Sequence, residues 1–169
     1  MVDYKALDPH IKEILRKRAL ALRVKKEEKL IESISILLFT LSNEWYAFYT
    51  HEVEEIINID AIRKIPGTHP AIIGVMNLRG RIISLIDLHE LFGIEKRFRT
   101  PEEAILLRVG FAVLVDDIYD ILSIQKDKIK PVQELRTKLG DVLVSEFEWA
   151  GKLVGVLSPQ KIVESFKEK

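Results

Sequence analysis

The chain's four histidines, His10, His51, His69 and His89, are the first residues to test for chemistry, because an imidazole can bind a metal or move a proton near neutral pH. They are scattered. None shows the spacing of a metal-binding helix or a HExxH pattern, so each reads as a surface or turn residue. The sequence has no cysteine, which excludes disulfides, thiolate nucleophiles and cysteine-ligated metals. The phosphate-loop pattern GxxxxGK[ST], the dinucleotide pattern GxGxxG and the nucleophile elbow GxSxG are all missing. Asp116-Asp117, with Asp120 nearby, is a tight acidic cluster. It lacks the further oxygen ligands a magnesium site needs, and it reads as a strand end meeting solvent. Glu54 and Glu55 are adjacent, and neighbours on a strand point to opposite faces, so they are not expected to work as a pair. No catalytic residue, metal ligand or cofactor site is nominated. Arg79 is different, since it sits at a tight corner between two apolar runs. An Arg there either bonds carbonyls or a carboxylate while its stem covers apolar surface, or presents an interface contact, and the two roles are compatible.

The elements around these residues divide the chain. Asp8-Pro9 is a helix-start signal, and from Pro9 to Glu32 there is no Gly and no further Pro. Ile11, Ile14, Leu15, Ala19 and Leu22 recur at helical spacing beside Arg16, Lys17, Arg18, Arg23, Lys25 and Lys26. The spacing predicts one long, basic, amphipathic helix laid on the body by its apolar stripe. A membrane-surface or acidic-partner helix is the sharper reading, but the stripe is short and lacks Trp and Phe.

From Ser33 the texture changes to short strands. Ile34–Leu41 and Trp45–Thr50 flank a turn at Ser42-Asn43-Glu44, which predicts a hairpin. Val53–Ile59 and Ile62–Ile65 precede the break at Pro66-Gly67. Two apolar strands then flank Arg79-Gly80. Asp87-Leu88-His89-Glu90 has capping-box spacing, so a short helix is expected to follow and stop at Gly93. A charged surface connection from Glu95 to Glu103 leads to a second β-rich half, with turns at Asp116-Asp117 and Ala150-Gly151-Lys152. Ser158-Pro159 opens a terminal helix.

The bulk numbers bound the function. Hydrophobic residues at 47% and charged residues at 31% describe a folded soluble protein rather than a disordered one. Twenty-six basic residues balance 26 acidic ones, without the excess that a dedicated nucleic-acid binder carries. No apolar run approaches the ~20 residues of a membrane span. Met1-Val2-Asp3-Tyr4-Lys5 lacks a signal-peptide layout, so a cytoplasmic protein is expected.

Gly74-Val75-Met76-Asn77-Leu78-Arg79-Gly80 and the apolar strand closing at Asp87-Leu88 resemble the signature of the CheW-like chemotaxis coupling family. Phe39-Thr40-Leu41 with Trp45-Tyr46-Ala47 is similar to the family's first hairpin. Val53-Glu54-Glu55-Ile56-Ile57 and Ile65-Pro66 continue the likeness, as do Gly110–Asp116 and Asp120-Ile121-Leu122. The resemblance runs from Ser33 to Phe166.

It implies a mainly β fold of two small five-stranded SH3-like barrel lobes around a shared core, with short helices ending each lobe. The expected layout is a helical extension over residues 1–32 and a CheW-like domain over 33–169, its lobes covering about 33–95 and 96–169. It implies no catalysis and no cofactor. The implied role is an adaptor joining the cytoplasmic tips of methyl-accepting chemoreceptors to the regulatory domain of a CheA-type histidine kinase. Such a protein is cytoplasmic, reaches membrane receptor arrays through its partners, and neither inserts in the membrane nor binds nucleic acid. By resemblance, Val53, Glu55, Gly74 and Arg79 match receptor-binding positions, with Asn77 and Gly80 shaping the same corner, and Ile56, Ile62 and Ile82 match kinase-binding positions. Three departures stand out: the segment 1–32, the tight connection at Arg108-Val109-Gly110, and Ser158-Pro159 where an Asp often begins the last helix. The alternative function is a nucleic-acid-binding small β-barrel whose charge comes from the basic N-terminal helix.

Overall fold

The computed structural model describes residues 8–28, 32–96, 101–132 and 137–167. The chain divides into two units between Ser33 and Ile34. The first contains helix α1 (Pro9–Glu28), which starts where Asp8-Pro9 predicts. The Asp8 carboxylate accepts the His10 amide at 2.7 Å, and the Asp8 carbonyl accepts the Lys12 amide at 3.0 Å. The helix was expected to reach Glu32, and residues 29–31 of that span lie outside the described ones, as do 97–100 of the expected charged connection. From Asp8 to Arg23 every side chain is exposed, Ile11, Ile14, Leu15 and Leu22 of the stripe included.

The second unit is built of short strands. In chain order they are β1 (Ser33–Leu41), β2 (Glu44–Tyr49), β3 (Val53–Asn58), β4 (Ile72–Leu78), β5 (Arg81–Asp87), β6 (Glu103–Leu107), β7 (Phe111–Leu114), β8 (Asp117–Gln125), β9 (Lys130–Pro131), β10 (Leu143–Trp149) and β11 (Lys152–Leu157). Helix α2 (Leu88–Phe92) follows β5, α3 (Lys138–Val142) precedes β10, and α4 (Pro159–Ser165) follows β11. Three hairpins turn on two residues of positive φ: Ser42-Asn43, Arg79-Gly80 and Ala150-Gly151. That handedness matches the twist of the flanking strands, so tight corners form where short polar or glycine-containing pairs interrupt apolar runs. The β6–β7 corner at Arg108-Val109-Gly110 is as tight as expected, closed by the Gly110 amide on the Leu107 carbonyl at 2.9 Å.

The strands make a six-stranded sheet, in the order β8-β1-β2-β11-β10-β9, and a five-stranded sheet, β3-β6-β7-β5-β4. This corrects two expectations. One sheet has six strands rather than five, the extra one being the two-residue β9. The lobes also do not divide near residue 95: β1 and β2 join the late strands, while β6 and β7 insert among the early ones. The cause lies in burial. Every residue of β7, and all of β6 after Glu103, is buried, so both strands must be central with a core on each face. Two parallel pairings weave the halves together, β2 with β11 and β5 with β7.

Three cores follow from alternation along these strands. Ala104, Leu106, Ala112 and Leu114 face inward with Ile57, Met76, Ile83 and Leu85, filling the five-stranded sheet. Their neighbours Ile105, Leu107, Phe111 and Val113 face the other sheet and meet Leu37, Phe39, Leu41 and Phe48. Ile36, Leu38, Ala47, Phe147, Val154 and Val156 fill the six-stranded sheet. At the margin of that last core, Trp45 packs between Tyr119 and Trp149, with ring centroids 4.6 and 5.6 Å away. Two curled sheets thus share a central core. Among the described residues each hydrogen-bonded order is linear, with no closed ring of strands.

Candidate functional site

The corner between β4 and β5 is set by its own residues. Asn77 Oδ1 accepts the Gly80 amide at 2.8 Å, and Arg79 and Gly80 have φ of 50° and 85°. Gly80 takes that conformation freely, whereas Arg79 is held in it by the corner. The Arg79 side chain, 73% exposed, forks onto Glu55, with Nη1 donating to Oε1 at 2.8 Å and Nη2 to Oε2 at 3.1 Å. Arg81 forks onto Glu54 at 2.6 and 3.4 Å. The hydrogen bond from Arg81 is the main cause that holds the Glu54 carboxylate below its usual range, and the carboxylates raise both guanidinium groups.

These pairs tie β3, one edge of the five-stranded sheet, to the β4–β5 hairpin at its other side. In a flat sheet β3 and β5 would lie about 14 Å apart, three spacings of ~4.8 Å, beyond the span of an Arg–carboxylate contact. The sheet therefore curls until β3 comes within reach of the β4–β5 hairpin, and the ion pairs span that gap. Glu54 and Glu55 both take part, contrary to the expectation that adjacent residues face apart. A bulge lies between them and Val53: Val53 pairs with Leu107 and Glu55 with Leu106, leaving Glu54 as the inserted residue.

Of the six residues expected to bind a receptor, Glu55, Asn77, Arg79 and Gly80 come together at this corner. Val53 and Gly74 stand behind it. Val53 is half-buried against the core between the sheets. Gly74 is buried at φ 150°, where an added Cβ would lie 2.5 Å from the Arg63 carbonyl oxygen and 2.7 Å from Ile62. Its missing side chain lets the Arg63 segment lie against β4, where Arg63 and Val75 exchange backbone hydrogen bonds of 2.8 and 2.9 Å. The residues expected to bind the kinase are exposed aliphatics on separate stretches: Ile56 on β3 (43%), Ile62 before the Arg63 bridge (38%) and Ile82 on β5 (66%). Ile65 is equally open.

At the far end of β5 the structure holds a cluster that sequence reasoning missed. Asp87 caps α2, accepting the His89 and Glu90 amides as the capping box predicts. Its Oδ1 also lies 3.2 Å from His89 Nδ1, and its Oδ2 2.6 Å from Lys96 Nζ. His89 Nε2 stands 3.0 Å from Asp116 Oδ1, at ion-pair distance but without the alignment of a hydrogen bond. The Asp87, His89 and Asp116 side chains are only 8%, 7% and 9% exposed. This corrects two expectations, a surface His89 and an Asp116 at a solvated strand end. The reason is topological: the chain crosses between sheets at Asp116, whose amide reaches the Thr40 carbonyl at 3.0 Å and whose Oδ2 takes the Ser42 amide at 2.6 Å. Burial pushes the Asp87 carboxyl up, but the bonds from His89 and Lys96 outweigh it and hold it at about 2. The available signal was the Asp87-Leu88-His89 cap, which put an imidazole one residue inside a helix start, next to a carboxylate.

Comparison with known proteins agrees with this architecture. Residues 35–167 match the CheW-like domain family. A "Chemotaxis protein CheW" from Klebsiella aerogenes is 33% identical over 108 residues, 61% of this chain and 64% of that protein. One from Thermotoga maritima is 27% identical over 144 residues, 82% of this chain and 93% of its own length. The crystal structure of the scaffolding protein TtCheW from Thermoanaerobacter tengcongensis superposes with a TM-score of 0.69 at 28% identity, covering 76% of this chain and 86% of that one. With the family pattern running through both sheets and through the Asn77–Gly80 corner, the chain belongs to the CheW-like domain family.

Proposed function

We propose that this protein is a non-catalytic chemotaxis adaptor that couples the cytoplasmic tips of chemoreceptors to the regulatory domain of a CheA-type histidine kinase. The observation that carries the reading is the β4–β5 corner. It presents a guanidinium that is largely exposed yet fixed by a fork to Glu55, on a backbone that Asn77 and Gly80 hold rigid. A charged group already oriented loses little freedom when a partner binds it. Near it, exposed Ile56, Ile62 and Ile82 offer the aliphatic anchors that a kinase domain would cover. No described helix is long and apolar enough to cross a membrane, and the reading places the protein in the cytoplasm, brought to receptor arrays by its partners. The nucleic-acid alternative is not favoured, because the chain belongs to the CheW-like domain family and the relatives it matches are chemotaxis proteins.

Pairwise binding tests the proposal. Purified protein should bind a CheA regulatory domain and a receptor tip fragment from the same genome, with dissociation constants on the order of micromolar. Failure to bind either one overturns it.

A further inference from the structure

The cluster at the end of β5 is a nearly closed set of charges on elements of both sheets. Asp87 and His89 belong to β5 and α2, on the five-stranded side. Asp116 lies on the link into β8 and is bonded to Thr40 and Ser42 of the six-stranded side. Lys96 reaches Asp87 from beyond α2. The outer charges are few: Glu90, exposed, acts on Lys96, and Glu95 contributes its carbonyl to the Ser42 hydroxyl. Two carboxylates and one lysine leave a single negative charge in a nearly buried site, and a protonated His89 cancels it. An uncancelled buried charge is expensive, so the arrangement favours the imidazolium. In that form both ring nitrogens carry hydrogens, Nδ1 donating to Asp87 and Nε2 standing at ion-pair distance from Asp116. In the neutral form one nitrogen must present a lone pair to an oxygen, and Nε2, 3.0 Å from Asp116 with poor alignment, is the weaker of the two contacts.

We propose that His89 is a pH-operated latch between the two sheets. Protonated, it bridges Asp87 and Asp116. When the Nε2 proton leaves for solvent, the lone pair repels Asp116 Oδ1 and the joint at Thr40, Ser42 and Asp116 loosens. The bond to Asp87 raises the His89 pKa above its ordinary 6.5 despite the opposing effect of burial, and Asp116 adds to the rise. A raised folded-state value means that the latch's contribution is whole below about pH 6.5 and is lost as pH rises through the folded-state value.

Two measurements on the full chain test this. In an NMR titration the His89 ring should change protonation above pH 6.5, and the Ser42 amide shift should follow the same midpoint. The thermal midpoint of the wild type should fall by about 3 °C or more between pH 6.5 and 9.5. His89→Gln, which keeps a polar side chain without the charge, should start lower, stay flat, and meet the wild-type curve at the alkaline end. An imidazole that titrates at or below 6.5, a Ser42 amide that ignores it, or a His89→Gln variant with the wild-type slope overturns the proposal. If that variant does not fold, the wild-type titration alone decides.

Discussion

The two ends of β5 carry similar groups in opposite circumstances. At its start, Arg81 and the neighbouring Arg79, both more than half exposed, meet Glu54 and Glu55 at the surface. At its finish, Asp87 and His89 meet where the protein is nearly closed, and Lys96 reaches Asp87 from the surface. Water screens the first set, so its pairs position side chains more than they stabilise the fold. The second set has lost most of its water, so removing one member strands the others. The exposed end can exchange partners at little cost, which suits a contact surface, while the buried end cannot and instead joins the sheets.

The largest expected effect attacks the buried end. Asp116→Ala removes the acceptor of the Ser42 amide and the second partner of His89, and should destabilise the protein by about 3–5 kcal/mol in urea unfolding at pH 6. A loss below ~1 kcal/mol would make the cluster as dispensable as the exposed pairs. Gly74→Ala comes next, at about 2–3 kcal/mol, because the new Cβ meets the Arg63 carbonyl on a strained backbone. It should also free the Ile62 segment and weaken kinase binding, while a variant of wild-type stability would mean that β4 yields easily. Acid gives a similar effect by another route. Asp87 is held at about 2 against an ordinary 3.8, so its contribution is present above pH 3.8 and lost as pH falls through 2. That amounts to roughly 2 kcal/mol, readable as a fall in stability between pH 4 and pH 2 that Asp87→Asn lacks. Arg79→Ala sits at the bottom of the stability scale and should leave the thermal midpoint unchanged while weakening receptor-tip binding about tenfold or more. A variant that unfolds would show that Arg79 holds β3 to the β4–β5 hairpin, and the contrast between the ends of β5 would vanish.

What the sequence disclosed was mostly local. The Asn77–Gly80 corner, the Asp87 and Ser158 caps and most of the strands depend on residues a few positions apart and appear where expected, whereas Ile62–Ile65 keeps only the Arg63 bridge and the two-residue β9 was not foreseen. The bulge at Glu54 escaped because it depends on β6, which lies far along the chain. The meeting of Ser42 with Asp116 spans 74 positions, and nothing near either residue announces it. His89 was legible as a cap neighbour and illegible as a buried cation for the same reason. The parallel pairings belong to this class too: alternation shows that β7 has two buried faces but not which strands flank it.

Those pairings have a consequence for how the chain is made. β2 emerges from the ribosome long before β11, yet Tyr46 must wait for Gly155 to complete its sheet. Until then Phe48 and Ala47, both fully buried in the finished protein, have only hairpin partners to shelter them. Contacts so distant in sequence slow folding and lengthen the exposure of apolar surface. A nascent chain stalled near residue 95 would hold parts of both sheets and the whole of neither, so half of this domain should make a client for chaperones rather than a smaller adaptor.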